Sequence, residues 1–536
     1  MISAWTGGQI RAAEQPLLDA GHGDRLMATA AHGLANTVVR AVRETRGRVY
    51  GARLVVIAGS GNNGGDALFA AVALARRGMS TTAVLTSTRS HRQALAAFEN
   101  AGGTVLRLAE GDDGTAAGTA VSTAAARASG APAEAVHVSP TSAAAFCSSA
   151  DVLIDGILGT GASGGLRSPA KDLVEDIIAL GPPALTVACD LPSGVSADTG
   201  EVFGPVLPAD LTVTFGGTKA GLLTDPAAGL AGRVQTVDIG LGPHLPAPER
   251  RRLEPADLAG WWPVPQRTSH KYTRGVLGIV AGSAQYPGAA LLCTQAAAAT
   301  GVGMIRYLGP QEICRLVNLS TPEAVCSQGS VGESRVQAWL VGPGATGDPD
   351  QQARARDALA SGVPVVADAG ALDSLPSDLG PQVILTPHAG ELVRILAEQD
   401  VEVTREQVEA SPSDFARLAA GLTGATVLLK GAVTVISSPS GALFIQDNAT
   451  PWLATAGSGD TLAGILGALA ATVKRELLTE DGIAEPDHWA AVAAMAAAVH
   501  GIAGTRAAAG GPVAASDISR ALPETVRTLL NLRQNG

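Results

Sequence analysis

The stretch Leu54-Val-Val-Ile-Ala58, followed by Gly59-Ser-Gly-Asn-Asn-Gly-Gly-Asp66, decides how the rest of the chain is read. Its first five residues are apolar with no polar alternation, the pattern of a strand covered on both faces. The glycines then break the strand into a turn, and a helix is expected to run on to about Arg77. Strand, glycine turn and helix together open a parallel α/β unit, which binds ligands outside the carboxyl ends of its strands.

The same alternation continues outward. Val152–Asp155, Leu185–Ala188, Leu211–Thr214 and Val234–Val237 read as further strands. Glu110 to Pro140 is rich in Ala, Gly, Ser and Thr without periodicity and is expected to be a flexible surface insertion. Proline enrichment and the run Arg250-Arg251-Arg252 mark a boundary, so domains are expected over 1–245 and 269–536, with 246–268 as linker. Beyond it Val276–Val280, Ala338–Val341, Val363–Ala367, Val383–Leu385 and Thr426–Leu429 repeat the strand pattern, with a helix at Gly288–Thr300. A hairpin is expected from Val433–Ile436 and Ala442–Ile445, joined by Pro439-Ser-Gly441.

The bulk properties restrict the function. At 536 residues, 46 % hydrophobic and 16 % charged, the chain can bury more than one core. A formal charge of −11 argues against a broad surface for nucleic acid, though not against a local anion site. The 5 cysteines form no CxxC pair, which points away from a disulfide framework or zinc site and towards a reducing cytoplasm. Met1 to Arg11 lacks the basic-then-apolar pattern of a signal peptide. Ala490 to Val499, the longest apolar stretch, reads as a buried helix and not a membrane span.

Two glycine-rich turns carry the chemistry. In the first, glycines let a ligand approach the backbone and a helix start offers free N–H groups. There is no Lys-Ser/Thr of a Walker loop, and the amide oxygen of Asn63 suits an alkali cation or else a helix cap. Asp155 before Gly156-Ile-Leu-Gly-Thr-Gly161, and Asp190 before Leu-Pro-Ser-Gly194, place carboxylates at later strand ends. Each could merely cap a turn; two at the same sheet edge point to function.

The second turn, Ala454-Thr-Ala-Gly-Ser-Gly-Asp460, precedes an apolar helical run. Asp460 could serve only as a favourable helix-start residue. A carboxylate beside an anion hole is also what phosphoryl transfer to a hydroxyl requires. Its companions are Thr386-Pro-His-Ala-Gly-Glu391, Lys430-Gly-Ala-Val-Thr434 and Val341-Gly-Pro-Gly344. His388 alone would be an ordinary structural histidine, but it follows a strand end and reads here as a substrate contact. Lys430 could reach a nucleotide phosphate.

Residues 1 to about 240 resemble the NAD(P)HX epimerase domain, the YjeF N-terminal domain, through GSGNNGGD (59–66), DGILGTG (155–161) and CDLPSGV (189–195). The resemblance implies a Rossmann-like three-layer fold. It implies a hydrate pocket lined by Asn62, Asn63, Gly64, Gly65 and Asp66 and by Gly159, Thr160, Gly161, Ala162, Ser163, Gly164 and Gly165. It further implies potassium at Asn63, Asp155 and Ser193, and catalysis by Asp190. Ala67 stands where the family usually continues with glycine.

From about Ser269 onward the chain resembles the ADP/ATP-dependent NAD(P)HX dehydratase, a ribokinase-like α/β protein. The matching segments include His270-Lys271, Gly282-Ser283 and Pro287-Gly-Ala-Ala290. The resemblance implies substrate contacts at Ala290, Gly344, His388 and catalytic Asp460. It implies an adenine nucleotide held by Lys430, Gly431, Ala432, Val433, Thr434 and Gly459, ADP in preference to ATP, with magnesium. Tyr272 and Ser458 replace a common glycine and threonine.

The combined expectation is a cytoplasmic homo-oligomeric enzyme that repairs NADHX and NADPHX, with no membrane or nucleic-acid partner. It would epimerise the R and S hydrates and dehydrate the S form, releasing AMP and phosphate. The alternative is a vitamin or sugar-alcohol kinase fused to a binding module. A purely binding role for the N-terminal half, as in RNA-associated relatives of the fold, is countered by the retention of Asp155 and Asp190.

Overall fold

The computed structural model describes residues 1–109 and 136–534. Most of the stretch expected as an insertion lies outside these residues; at its described end, Val136–Val138 is a strand and Pro140 opens a helix. The chain forms two compact units, Ser3–Glu249 and Arg250–Gly536, the latter joined by Met1–Ile2.

The strands up to residue 249 are β1 (Ile2–Trp5), β2 (Arg53–Ala58), β3 (Ser80–Leu85), β4 (Thr104–Leu108), β5 (Val136–Val138), β6 (Val152–Gly156), β7 (Thr186–Cys189), β8 (Leu211–Phe215), β9 (Thr218–Lys219) and β10 (Arg233–Val237). Eight of them form one sheet in the order β10-β8-β7-β6-β2-β3-β4-β5, and every pair is parallel. β1 pairs with β9, also in parallel.

The unbroken apolar run of β2 is explained by its two faces. Leu54, Val56 and Ala58 pack with Leu34, Val38 and Leu68 of the helices Gly23–Arg46 and Asn62–Ala75. Val55 and Ile57 point the other way, against Ala143, Ala144, Leu173 and Ile177 of the helices Pro140–Ser148 and Ala170–Leu180. Helices on both faces leave no solvent side on which polar residues could alternate. The strands β3 and β4 are absent from the sequence-based reading because Ser80-Thr-Thr and Arg107 interrupt their apolar runs.

The C-terminal unit contains β11 (Arg250–Arg252), β12 (Val276–Val280), β13 (Met304–Leu308), β14 (Val325–Ser327), β15 (Ala338–Val341), β16 (Val365–Ala367), β17 (Val383–Leu385), β18 (Thr426–Leu429), β19 (Thr434–Ser437) and β20 (Leu443–Gln446). Their order is β14-β13-β12-β15-β16-β17-β18-β19-β20-β11. Only β18–β19 and β19–β20 are antiparallel, and the latter is the expected hairpin, closing at Ser437 opposite Leu443. The stretch 246–268 carries structure of its own. β11 pairs with β20, and the helix Pro255–Trp261 buries Leu258 and Trp261 in the core.

The segment Glu485–Ala508 is long and apolar enough to cross a membrane, but 78 % of its apolar window is buried inside the protein. Ala490 through Val499 belong to the same core as the helices Pro287–Thr300 and Ser458–Thr472. An Ala-rich helix presents little bulk on any side, so neighbouring helices can surround it.

Candidate active sites

In the N-terminal unit the pairings Ile57–Asp155 and Asp155–Ala188 align the carboxyl ends of β2, β6 and β7. The glycine turn after β2 therefore meets the loops that carry Asp155 and Asp190. The helix Asn62–Ala75 starts behind Gly61 with no side-chain cap, which leaves its first N–H groups available. Gly64 is required by packing, since a Cβ there would lie 2.2 Å from the carbonyl oxygen of Gly59. Ala67 is buried against Gly156, whose missing side chain makes room for the extra methyl.

A cavity of about 490 Å³ opens at this edge. Asn62, Asn63, Asp66, Gly159, Thr160, Gly161, Ala162 and Asp190 line it, as does Lys219. The helix Gly7–Asp19 contributes Arg11 and Glu14 to the wall. Of the other expected contacts, Gly64 and Gly65 are buried under the turn, and Ser163, Gly164 and Gly165 lie off the cavity wall.

Asp190 is the best-held group in the cavity. It sits at φ 69°, an uncommon backbone for a residue with a side chain. Lys219 donates to its Oδ1 at 2.5 Å, Thr214 donates to the same oxygen at 3.2 Å, and the backbone N–H of Thr160 donates to Oδ2 at 3.1 Å. The Thr160 hydroxyl also donates to Oδ2. Burial alone would raise this carboxyl, but the Lys219 charge and the Lys219 and Thr160 hydrogen bonds outweigh it and hold it below the usual range. Asp66 and Glu14 behave oppositely. Burial pushes Asp66 well up, reinforced by the charges of Asp190 and Glu14, and burial also raises Glu14.

Asn63 and Ser193 converge on the carbonyl of Leu158, and Asp155 is tied to them through Ser193. The Asn63 amide N–H donates to it at 2.9 Å and the Ser193 hydroxyl lies 3.3 Å away. Ser193 also donates to Asp155 through its backbone at 2.8 Å and its hydroxyl at 2.6 Å. Burial raises the Asp155 carboxyl, and the Ser193 and Ile157 hydrogen bonds pull it back. The result is a compact set of hard oxygens suited to an alkali or alkaline-earth cation.

In the C-terminal unit the helix Ser458–Thr472 begins after Gly457, whose φ of 86° favours glycine. Asp460 lies on its first turn. Burial, then the Asp368 charge, pushes this carboxyl up to about 6, with Lys430 acting in the other direction. Lys430 is committed elsewhere. Its Nζ donates to Asp368 at 2.8 Å and lies 3.7 Å from Glu391. Burial would lower the lysine, yet Asp368, Glu391 and Asp460 keep it raised and charged. A Cβ on Gly459 would stand 3.7 Å from Lys430 Nζ, so the lysine faces the glycine turn.

His388 caps the helix Ala389–Ala397. Its Nδ1 accepts from the Glu391 N–H at 3.2 Å, and its own N–H donates to Glu391 at 2.8 Å. The ring is otherwise 58 % exposed, and a bridge pairs His388 with Lys430. Capping thus explains its position, with Nε2 3.6 Å from the Glu391 carboxylate. Gly431 and Ala432 form an exposed turn between β18 and β19, with Val433 and Thr434 half-buried beside it. Gly344, at φ 63°, lies against Tyr286 and Ala289, while Ala290 is fully buried behind Gly282.

Sequence reading missed Glu14, Lys219 and Asp368. For Asp368 a signal existed, since it follows β16 as Asp190 follows β7. Lys219 and Glu14 carry no such local mark.

Comparison with known proteins identifies both halves. Residues 23–221 match the family described as YjeF-related protein N-terminus, and residues 277–524 match the family described as NAD(P)H-hydrate dehydratase. A bifunctional NAD(P)H-hydrate repair enzyme of Mycobacterium tuberculosis is 40 % identical over 476 residues, covering 86 % of this chain and 88 % of that protein. Its counterpart from Moorella thermoacetica is 32 % identical over 501 residues, covering 87 % and 85 %. Among solved structures, an ADP/ATP-dependent NAD(P)H-hydrate dehydratase from Bacillus subtilis is 26 % identical, with a TM-score of 0.45. It covers 52 % of this chain and 97 % of that one.

Proposed function

Because this chain belongs to the family of bifunctional NAD(P)H-hydrate repair enzymes, we propose that its two sites act in turn on a hydrated nicotinamide. The N-terminal site equilibrates the R and S hydrates, and the C-terminal site dehydrates the S form with ADP. The observation that carries this reading is the pair of strand-edge sites, each with a glycine turn, a helix start, a carboxylate and a lysine.

In the first site the substrate carries a hydroxyl on the ring carbon beside nitrogen. Asp190, kept ionised by Lys219, is the base that moves a proton at that centre. Asn62, Asp66 and the Gly159–Ala162 loop supply the cavity wall. Asn63, Asp155 and Ser193 would hold a potassium ion, whose charge would fix the loop around Leu158.

In the second site Asp460, poised at about 6, accepts the proton of the substrate hydroxyl. The N–H groups at the start of Ser458–Thr472 and the Lys430 ammonium face the phosphate being transferred. That transfer leaves AMP; loss of the phosphate, pushed by the ring nitrogen lone pair, then gives a ring iminium, and loss of a proton from the neighbouring ring carbon regenerates the reduced nicotinamide. Among the described residues no group of 3 or more His, Cys, Asp or Glu side chains forms a metal cage. Magnesium would ride on the nucleotide phosphates and neutralise their charge.

Incubation with mixed hydrates and ADP tests the reading. Full conversion to reduced cofactor, faster than spontaneous inversion, is expected. Vitamin phosphorylation without recovery of reduced nicotinamide absorbance would overturn it in favour of a kinase fused to a binding module.

A further inference from the structure

The cavity of the N-terminal unit holds more acid than the base role of Asp190 uses. Glu14, Asp66 and Asp190 all line it, with Lys219 as the one buried ammonium. That lysine is taken up by Asp190 at 2.5 Å and by the carbonyl of Phe215 at 2.9 Å. Asp66 Oδ1 is shut off from solvent and has no hydrogen-bond partner. The residue as a whole is half-buried, and an oxygen kept from both water and a donor favours the protonated carboxyl.

We propose that Asp66 is the general acid of the epimerase, working opposite Asp190 as base. This rests on the reading of the N-terminal site as an epimerase. Hydroxide is a poor leaving group, and the ring hydroxyl departs once it is protonated. Asp66 gives its proton to that oxygen as the carbon–oxygen bond breaks, and the ring nitrogen lone pair fills the electron deficit. The group leaves as water. A water molecule then forms the new carbon–oxygen bond from the other side of the ring, and Asp190 takes its proton. One proton has passed from Asp66 to Asp190 and returns through solvent; nothing is oxidised or reduced.

The two carboxylates line one cavity from different elements, Asp66 from the helix Asn62–Ala75 and Asp190 from the end of β7. One can therefore address a departing group and the other an entering one. Their environments are driven apart in the sense that acid–base pairs require, Asp66 up and Asp190 down. The charged groups facing Asp66 are Glu14, from the helix Gly7–Asp19, Asp190 and Lys219. Arg11 joins them at the wall but donates to the carbonyl of Thr160 at 2.7 Å. The nearby thiol of Cys189 is raised by burial and stays neutral.

The test uses the full chain and reads the slow, epimerase-limited phase of R-hydrate consumption in the presence of ADP. Asp66→Asn should lower kcat by about 100-fold or more, with hydrate affinity and thermal unfolding little changed. In the native protein the rate should fall as pH rises and Asp66 loses its proton. Asp66→Asn should remove that fall, and Asp66→Glu should restore part of both rate and pH dependence. Unchanged kcat and an unchanged high-pH limb in Asp66→Asn would overturn the proposal. So would a variant that loses only affinity or stability while keeping that limb. Asp190→Asn serves as the separate control. If it abolishes epimerisation while Asp66→Asn does not, the epimerase reading stands and the acid role fails. If both variants epimerise normally, the reading of the site falls too.

Discussion

The two sites are built from the same parts and tune them in opposite directions. In the N-terminal unit the lysine is bound to the proposed base itself, Lys219 to Asp190 at 2.5 Å. In the C-terminal unit the lysine is bound to a different carboxylate, Lys430 to Asp368 at 2.8 Å. Asp190 is consequently held below its ordinary range, and Asp460 is lifted to about 6. A carboxylate beside a buried lysine is thus not one kind of site. What matters is which acid receives the ion pair, because burial raises Asp66, Glu14 and Asp460, which do not receive it.

The sharpest way to break this comparison is to remove each carboxylate in turn. Asp460→Asn should cut dehydration by about 100- to 10,000-fold and leave R-to-S conversion intact. Asp190→Asn should do the reverse. Chiral separation of the hydrates with parallel measurement of reduced nicotinamide distinguishes the two, and a loss of both activities in either variant would refute separate sites.

Lys219→Met tests the ion pair. It leaves Asp190 buried without its cation, at a cost of about 3–5 kcal/mol that thermal or denaturant unfolding of the N-terminal unit would reveal. Asp190 should then gain a proton more readily, so the low-pH limb of epimerisation should move to higher pH. An unmoved limb would show that Lys219 does not set the protonation of Asp190.

The corresponding test at the second site is milder. As a base Asp460 must be ionised, so dehydration should rise with pH through about 6 and then level off. The Asp368 charge contributes to that position, and Asp368→Asn should shift the limb to lower pH with less than about a tenfold change in rate at neutral pH. The smallest change concerns the scaffold. Gly64→Ala would bring a Cβ to 2.2 Å from the Gly59 carbonyl, destabilising the N-terminal unit by about 1–3 kcal/mol as read by its unfolding midpoint.

Much of the fold was legible because it is written locally. β2, β6, β12 and β15 are apolar runs without alternation, and the turns after β2 and before the Ser458–Thr472 helix announce themselves by their glycines. The reading failed where the local signal was diluted. Arg306 interrupts β13, and edge positions such as β14 and β5 bury little. The stretch 246–268 looked like linker because its prolines dominate its composition, whereas Leu258 and Trp261 bury in the C-terminal core.

The sequence by itself determined the parallel α/β character, the two glycine-rich turns and the placement of the acids Asp190 and Asp460 beside them. These depend on residues close together in the chain, where backbone stereochemistry and hydrophobic period leave few choices. Only the tertiary structure decided the partners of those acids. Lys219 reaches Asp190 from β9, Glu14 enters the same cavity from the helix Gly7–Asp19, and Asp368 intercepts Lys430 from the end of β16. Charge interactions depend on separation and burial in space, which distance along the chain does not encode.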